Sequence, residues 1–279
     1  MYLPSIIKKP ILTVLRSYHK YRQEKVWKQQ TQYWRGKISP IQLMNIPHYE
    51  KILILAPHDD DEWIGCSHFI RNYQNAIVCN MDMDGGDTSE MHAVRLQEMK
   101  NLASMFGREF ITVDKDKIIS LQNIVLEKRP DYICVPCFFD WHPEHIQVMN
   151  ILKEVLISSK YSCQVVMYQV SLPIPPSLCN MVIPFNSRTF EYKWNTFVNV
   201  YPTQTKIAYK RFMANEQING ALANAYAAEI YVVNSSDDWL NMFDYLLTNE
   251  EKEIIKNNLS DITFVRDTVN GFLNRRTQL

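Results

Sequence analysis

The sequence predicts an α/β protein with a Rossmann-like, mostly parallel sheet and helices on both faces. Three observations predict it. Short continuous apolar runs, the mark of strands buried on both faces, alternate with longer segments of helical character. Two of these runs end directly in clusters of histidine and carboxylate side chains, and open α/β sheets carry their chemistry at the carboxyl ends of such strands. The chain's 279 residues, 46% of them hydrophobic, suffice to bury one full α/β core.

The elements follow in order. Residues 52–56 (Ile-Leu-Ile-Leu-Ala) form the first strand, and a helix over 63–73 begins near Trp63. A strand over 76–80, a helix over 90–106, a strand over 110–113 and a helix over 117–128 continue the alternation. The Pro130-Asp131 turn introduces a strand over 132–137. A helix over 146–158 follows, with Ile146, Met149, Leu152 and Val155 at helical spacing, and then a strand over 163–170. Beyond the turn of Pro173, Pro175 and Pro176, added strands and helices are expected to shape the pocket. The domain reading is a basic helical extension over 1–45 and one α/β domain over 46–279. Neither an internal repeat nor a low-complexity segment is found. A dinucleotide site is not indicated, because no Gly-x-Gly-x-x-Gly is present.

The first strand runs straight into His58, Asp59, Asp60, Asp61 and Glu62. One or two acids would suit a helix N-terminus. Four behind a histidine fit a cation site better, because crowded carboxylates need a cation or strongly shifted pKa values. The 132–137 strand is followed by Asp140, Trp141, His142, Pro143, Glu144 and His145. Three of the chain's seven histidines thus fall just after two strands. Catalytic zinc commonly takes three protein ligands, and a set of two histidines and a carboxylate also suits ferrous iron.

Together the motifs resemble the LmbE-like (PIG-L) family of metal-dependent N-acetylglucosaminyl deacetylases. The family's Ala-His-Pro-Asp-Asp-Glu is matched by His58-Asp59-Asp60-Asp61-Glu62, with Asp59 where proline is usual. Its His-Pro-Asp-His is matched by His142-Pro143-Glu144-His145. Between them, Asp84-Gly85-Gly86-Asp87 and Arg95-x-x-Glu98 resemble the family's Gly-rich turn and Arg-x-x-Glu helix. Tyr201-Pro-Thr-Gln204 and Ala228-Glu229-Ile-Tyr231 resemble later motifs, so the likeness runs from about Lys51 to Val233.

The resemblance implies the LmbE-like fold and hydrolysis of the N-acetyl group of a GlcNAc-containing substrate. It implies His58, Asp61 and His145 as ligands of Zn2+, with Fe2+ or another divalent ion as alternatives. Asp60 would be the general base. His142 would stabilise the oxyanion or protonate the leaving amine, and Arg95 would contact substrate. Glu62, Asp140, Glu144 and Glu98 would support these groups, and Glu144 keeps the family's charge on a longer arm. Asp59 has no assigned role. Two other classes stay open: an iron-dependent oxygenase on the same ligand set, and a non-catalytic carbohydrate-binding or assembly protein that retains the fold.

Charge is balanced at 30 basic and 30 acidic residues, so nucleic acid is not an expected partner. Residues 1–37 are nonetheless basic: Lys8, Lys9, Arg16, Lys20, Arg22, Lys25, Lys28, Arg35 and Lys37 stand against Glu24 alone. Apolar residues including Leu12, Val14, Leu15 and Tyr18 lie among them, in a run too short to span a bilayer. Such a segment suits peripheral attachment to an anionic membrane, or a helix packed on the domain with its basic face in solvent. The six cysteines include Cys134-x-x-Cys137, whose members would point to opposite faces of a strand. Buried free thiols and a reducing cytoplasm are therefore expected, with no leader segment read at the N-terminus.

Overall fold

Strand β1 (Ile52–Ala56) lies inside the sheet, and its surroundings explain its unbroken apolar run. Leu53 and Leu55 enter one hydrophobic cluster with Ile133, Val135 and Val165. Ile52, Ile54 and Ala56 enter a second with Cys134 and Val166. Successive side chains of a strand face opposite ways, so a strand covered on both faces must be apolar throughout. The structure is a computed structural model that describes residues 5–40, 50–83, 88–113, 115–205 and 208–276, with side chains of the first helix described from Leu12.

After helix α1 (Ser5–Arg35) and β1 come α2 (Asp61–Asn72), β2 (Ala76–Asn80), α3 (Ser89–Met105) and β3 (Glu109–Thr112). Helix α4 (Lys117–Lys128), β4 (Tyr132–Pro136), α5 (Pro143–Ser159) and β5 (Gln164–Tyr168) continue the alternation. Then follow β6 (Met181–Phe185), α6 (Ser187–Val200), α7 (Tyr209–Asn219), β7 (Ala227–Ser235), α8 (Ser236–Leu240), α9 (Asn249–Lys256) and α10 (Ile262–Arg276). Among the described residues the sheet has seven strands in the order β3-β2-β1-β4-β5-β7-β6. The first five are parallel, β7 runs antiparallel to them, and β6 pairs antiparallel with β7 and so runs with the first five. Helices α4, α5 and α10 cover one face through Leu121, Val148, Leu152 and Val269. Helices α2, α3 and α6 cover the other through Phe69, Leu102, Trp194 and Phe197. The mostly parallel α/β sheet expected from the sequence is present.

The order of strands positions the site. The chain runs outward from β1 through β2 to β3, then returns to β4 beside β1 and proceeds the other way. Neighbouring strands whose connections diverge leave a crevice at their carboxyl ends, where α/β proteins bind ligands. The segments after β1 and β4 meet there.

Several expected boundaries shift. Helix α2 starts at Asp61 instead of 63, so Asp61 and Glu62 occupy its first turn, where carboxylates meet the positive end of the helix dipole. Helix α5 starts at Pro143 instead of 146, because proline needs no N–H partner in a first turn and its φ is already helical. Glu144 and His145 are therefore helical. Strands β4 and β5 are shorter than the expected 132–137 and 163–170. Cys137, Phe138, Val170 and Leu172 owe their apolar character to core packing beyond the paired strands. The Asp84-Gly85-Gly86-Asp87 turn and the boundary near residue 45 lie outside the described residues.

Candidate active site

Two short links bring the site together. His58 follows β1 by one residue, and Asp60 and Asp61 open α2. His142 immediately precedes α5, and His145 lies in its first turn. Asp61 Oδ2 lies 3.0 Å from His58 Nδ1 and 3.2 Å from His145 Nε2, and those two nitrogens are 3.2 Å apart. The backbone N–H of His58 also donates to Asp61 Oδ2 at 3.1 Å. Ligand atoms at 2.0–2.1 Å from a tetrahedral zinc stand about 3.3 Å from one another. The three side chains thus form a triangle of the size a small divalent cation requires. His142 joins them, with donor atoms of His58, His142 and His145 all within 4.8 Å of one another. His58, Asp61 and His145 thus close the triangle, and His142 borders it.

Asp140 organises both histidines of the second motif. Its Oδ2 lies 2.8 Å from His145 Nδ1, which turns Nε2 toward the triangle, and its Oδ1 accepts the backbone N–H of His142 at 2.9 Å. A carboxylate on the far nitrogen fixes the tautomer and orientation of a metal-binding histidine. Glu144 Oε2 is 2.6 Å from His142 Nδ1.

Burial and crowding set the protonation. Burial would raise Asp61, but His145 and His58 hold it well below the ordinary carboxylate range. Burial and the adjacent Asp61 push Asp60 up to about 7. Burial also lifts Asp59 to about 6, against the pull of His92 and Arg95. Burial works to lower His145, yet Asp140 and Asp61 carry it well above the ordinary histidine value. His58 is also raised, with Asp61 outweighing burial. His142 is lowered by burial and by its neighbours His145 and His58. Glu62 is forced well upward by burial, which favours its neutral form.

The remaining expected residues reach the site through partners that the sequence did not pair. Asp59 is buried and accepts a hydrogen bond from Asn80, at the carboxyl end of β2. These two, with His58, Asp82, His92 and Arg95, line a small cavity beside the triangle. Glu62 accepts from the hydroxyl of Tyr201, and Glu98 accepts from Thr203 N at 3.2 Å and Thr203 Oγ1 at 2.5 Å. The Tyr201-Pro-Thr-Gln204 motif thus ties down both α2 and α3.

Glu229 explains the shape of α2. The helix kinks at Cys66 (φ −132°, ψ 26°), freeing the next backbone N–H groups. Glu229 accepts from Ser67 N and His68 N, each at 3.1 Å, and from Ser67 Oγ at 2.5 Å and Tyr231 OH at 2.6 Å. It therefore acts as an N-cap inside the helix. The fully buried Lys193 Nζ bridges Glu229 (2.7 Å), Glu216 and the carbonyl of Ile64 (2.6 Å), while Trp194 Nε1 donates to Glu216 at 2.8 Å. Gly65 is required beside this point, since a Cβ there would lie 2.2 Å from the Tyr168 ring. Asn80 carried a faint signal as the polar end of an apolar strand. Lys193 and Glu216 carried none, being ordinary charges in helical segments.

Neither a scan against protein-family models nor a search of curated proteins finds a match. The fold has solved counterparts. The N,N'-diacetylchitobiose deacetylase of Pyrococcus horikoshii, complexed with its inhibitor MPG, is similar at a TM-score of 0.55 and 19% identity, over 66% of this chain and 84% of that one. The conserved protein TT1542 of Thermus thermophilus is similar at a TM-score of 0.52 and 18% identity, over 66% and 94%. A triple mutant of a deacetylase involved in the teicoplanin biosynthetic pathway is similar at a TM-score of 0.50 and 13% identity, over 67% and 99%. The likeness first read from short motifs extends to the fold of about two thirds of the chain.

Proposed function

We propose that this chain is a divalent-metal-dependent N-deacetylase, which hydrolyses the acetamido group of a GlcNAc-containing sugar or glycoconjugate to acetate and a free amine. The observation that carries this reading is the triangle of His58 Nδ1, Asp61 Oδ2 and His145 Nε2, with sides of 3.0–3.2 Å. Two nitrogens and a carboxylate oxygen suit zinc, and ferrous iron accepts the same set. When bound, the cation supplies Lewis-acid polarisation of the acetamide carbonyl and acidifies water.

The chain's own groups do the rest. Asp60 takes the water proton, at a carboxyl already lifted to about 7 by burial and Asp61, near the ideal for a general base at neutral pH. The same carboxyl returns the proton to the amide nitrogen as the C–N bond breaks. His142 donates a hydrogen bond to the carbonyl oxygen as negative charge builds on it. Glu144, 2.6 Å from Nδ1, supports a proton on that ring. Arg95, beside His58 in the small cavity, is assigned to substrate contact. The likeness to deacetylases of diacetylchitobiose and of the teicoplanin pathway supports an acetamido sugar as the substrate class. Six buried, unpaired cysteines support a reducing compartment. Among the described residues no helix is long and apolar enough to cross a membrane.

The test combines metal analysis with acetate release from N-acetylated amino sugars, diacetylchitobiose first. The expected result is about one divalent metal per chain and release that a chelator abolishes and added metal restores. Asp60→Asn should retain the metal and lose turnover by about 10²–10⁴-fold. Undiminished turnover after chelation, or in Asp60→Asn, would overturn the proposal.

A further inference from the structure

The proposed activity leaves half of α1 without a task. Its second half docks on the domain. Trp27 and Trp34 pack with Ala214, Ile218 and Ile262, and Trp27 Nε1 donates to Ser260 O at 2.7 Å. Arg35 adds bonds to the carbonyl oxygens of Ala225 (2.8 Å), Tyr226 (3.1 Å) and Gln217. Residues 12–22, by contrast, are exposed around the whole helix, which therefore runs clear of the domain.

The free half is patterned. Val14, Tyr18 and Tyr21 are 68%, 55% and 66% exposed, and their i, i+4, i+7 spacing sets them on one face, with Leu15 (47%) alongside. Trp27, Thr31 and Trp34 repeat that spacing in the docked half. At 100° per residue, however, the two stripes point about 140° apart, so the outer one does not face the domain. Arg22, Lys25 and Lys28 lie beside the exposed stripe, Arg16 and Lys20 lie on the far side of the helix, and the Arg22 guanidinium is 5.9 Å from the Tyr18 ring. Glu24 pairs with Lys210 of α7 at 2.8 Å, so it offsets none of these cations.

We infer that residues 12–25 of α1 are a docking element for an anionic lipid surface, lying in the plane of the interface. Charge selects this occupant. A second copy of the helix would bring like charges together, whereas an anionic bilayer neutralises them. Tyrosine suits the headgroup level, with its ring in the apolar layer and its hydroxyl in water, and Lys and Arg stems reach outward from it. Binding of this kind needs no spanning segment. The inference goes beyond the deacetylase reading and is measured without turnover.

The experiment is co-sedimentation of the full chain with vesicles of phosphatidylcholine alone and of phosphatidylcholine with phosphatidylserine. Binding is expected only with phosphatidylserine, and it should weaken as salt is raised. Each cation at the surface strengthens partitioning about fivefold, so joint replacement of Arg22, Lys25 and Lys28 by Gln should weaken binding by about a hundredfold. Val14→Ser with Tyr18→Ser and Tyr21→Ser should also weaken it, with an unchanged circular dichroism spectrum because these side chains touch nothing in the core. Equal binding to both vesicles, no binding, or variants that bind like the native chain would overturn the inference. So would a dimer in light scattering that the Val14, Tyr18 and Tyr21 replacements dissolve, because the stripe would then belong to a second copy.

Discussion

Helix α2 carries two clusters of buried charge, one at its start and one at its kink, and they are neutralised differently. At the kink, Lys193 stands between Glu216 and Glu229, and Ser67, His68, Tyr231 and Trp194 supply further donors to the two carboxylates. Cation and anions come from one chain and meet at hydrogen-bond distance, and the one carboxyl in excess, Glu216, is lifted to about 7 by burial. At the start, Asp59, Asp60, Asp61 and Glu62 crowd around His58 and His145, and Asp140 adds a further carboxylate from below. There the protein meets its surplus of carboxylate by holding acids near neutrality: Asp59 is lifted to about 6, Asp60 to about 7 and Glu62 further, mainly through burial. The lesson concerns what each cluster is for. A closed ion cluster fixes backbone, whereas one that the chain leaves short of positive charge is built to accept it from outside.

The comparison breaks most visibly if the closed cluster is opened. Lys193→Met leaves two buried carboxylates without their cation and should cost about 3–5 kcal/mol of unfolding free energy, read by chemical denaturation. A loss below about 1 kcal/mol would mean that the kink cluster is not holding the helix. At the open cluster, Asp140→Asn removes the charge behind His145 while keeping its shape. Metal affinity, read by competition with a chelator, should fall about 10–100-fold. Unchanged metal affinity would erase the distinction between the clusters.

The last effect is a pH slope. Burial holds Glu216 at about 7, above its ordinary 4.5, although Lys193 pulls it the other way. A carboxyl with a raised folded pKa binds more protons when folded. Its contribution to stability is therefore full below about pH 4.5 and is lost as pH rises toward 7. Glu216→Gln should remove that slope, so the stability difference between the native chain and the variant changes across this window and is constant above it. Equilibrium denaturation at a series of pH values reads this directly, and a constant difference throughout would contradict the raised value.

Much of this was legible in the chain itself. The apolar runs gave β1, β2 and β4 almost residue by residue, because a strand covered on both faces has no freedom to be polar. The His58–Glu62 and Asp140–His145 motifs were legible because side chains of this kind accumulate after a buried strand only when something holds them there. Less legible were contacts of long sequence separation. Glu62 meets Tyr201, Glu98 meets Thr203 and Asp59 meets Asn80, and in each case the partner's residue type is commonplace. Glu229 could be singled out by motif, yet its work as a cap inside α2 follows from a kink at Cys66 that no local propensity announces.

By itself, then, the sequence determined the alternation of strands and helices, the two post-strand motifs and the basic, apolar character of the first 37 residues, since each depends on neighbours along the chain. Tertiary structure alone decided that β1 and β4 lie side by side, that Asp61 Oδ2 sits 3.0 and 3.2 Å from two imidazoles, and that α1 docks through Trp27 and Trp34. Those facts depend on which surfaces pack together once the core is buried. Packing chooses among partners that local sequence leaves equivalent.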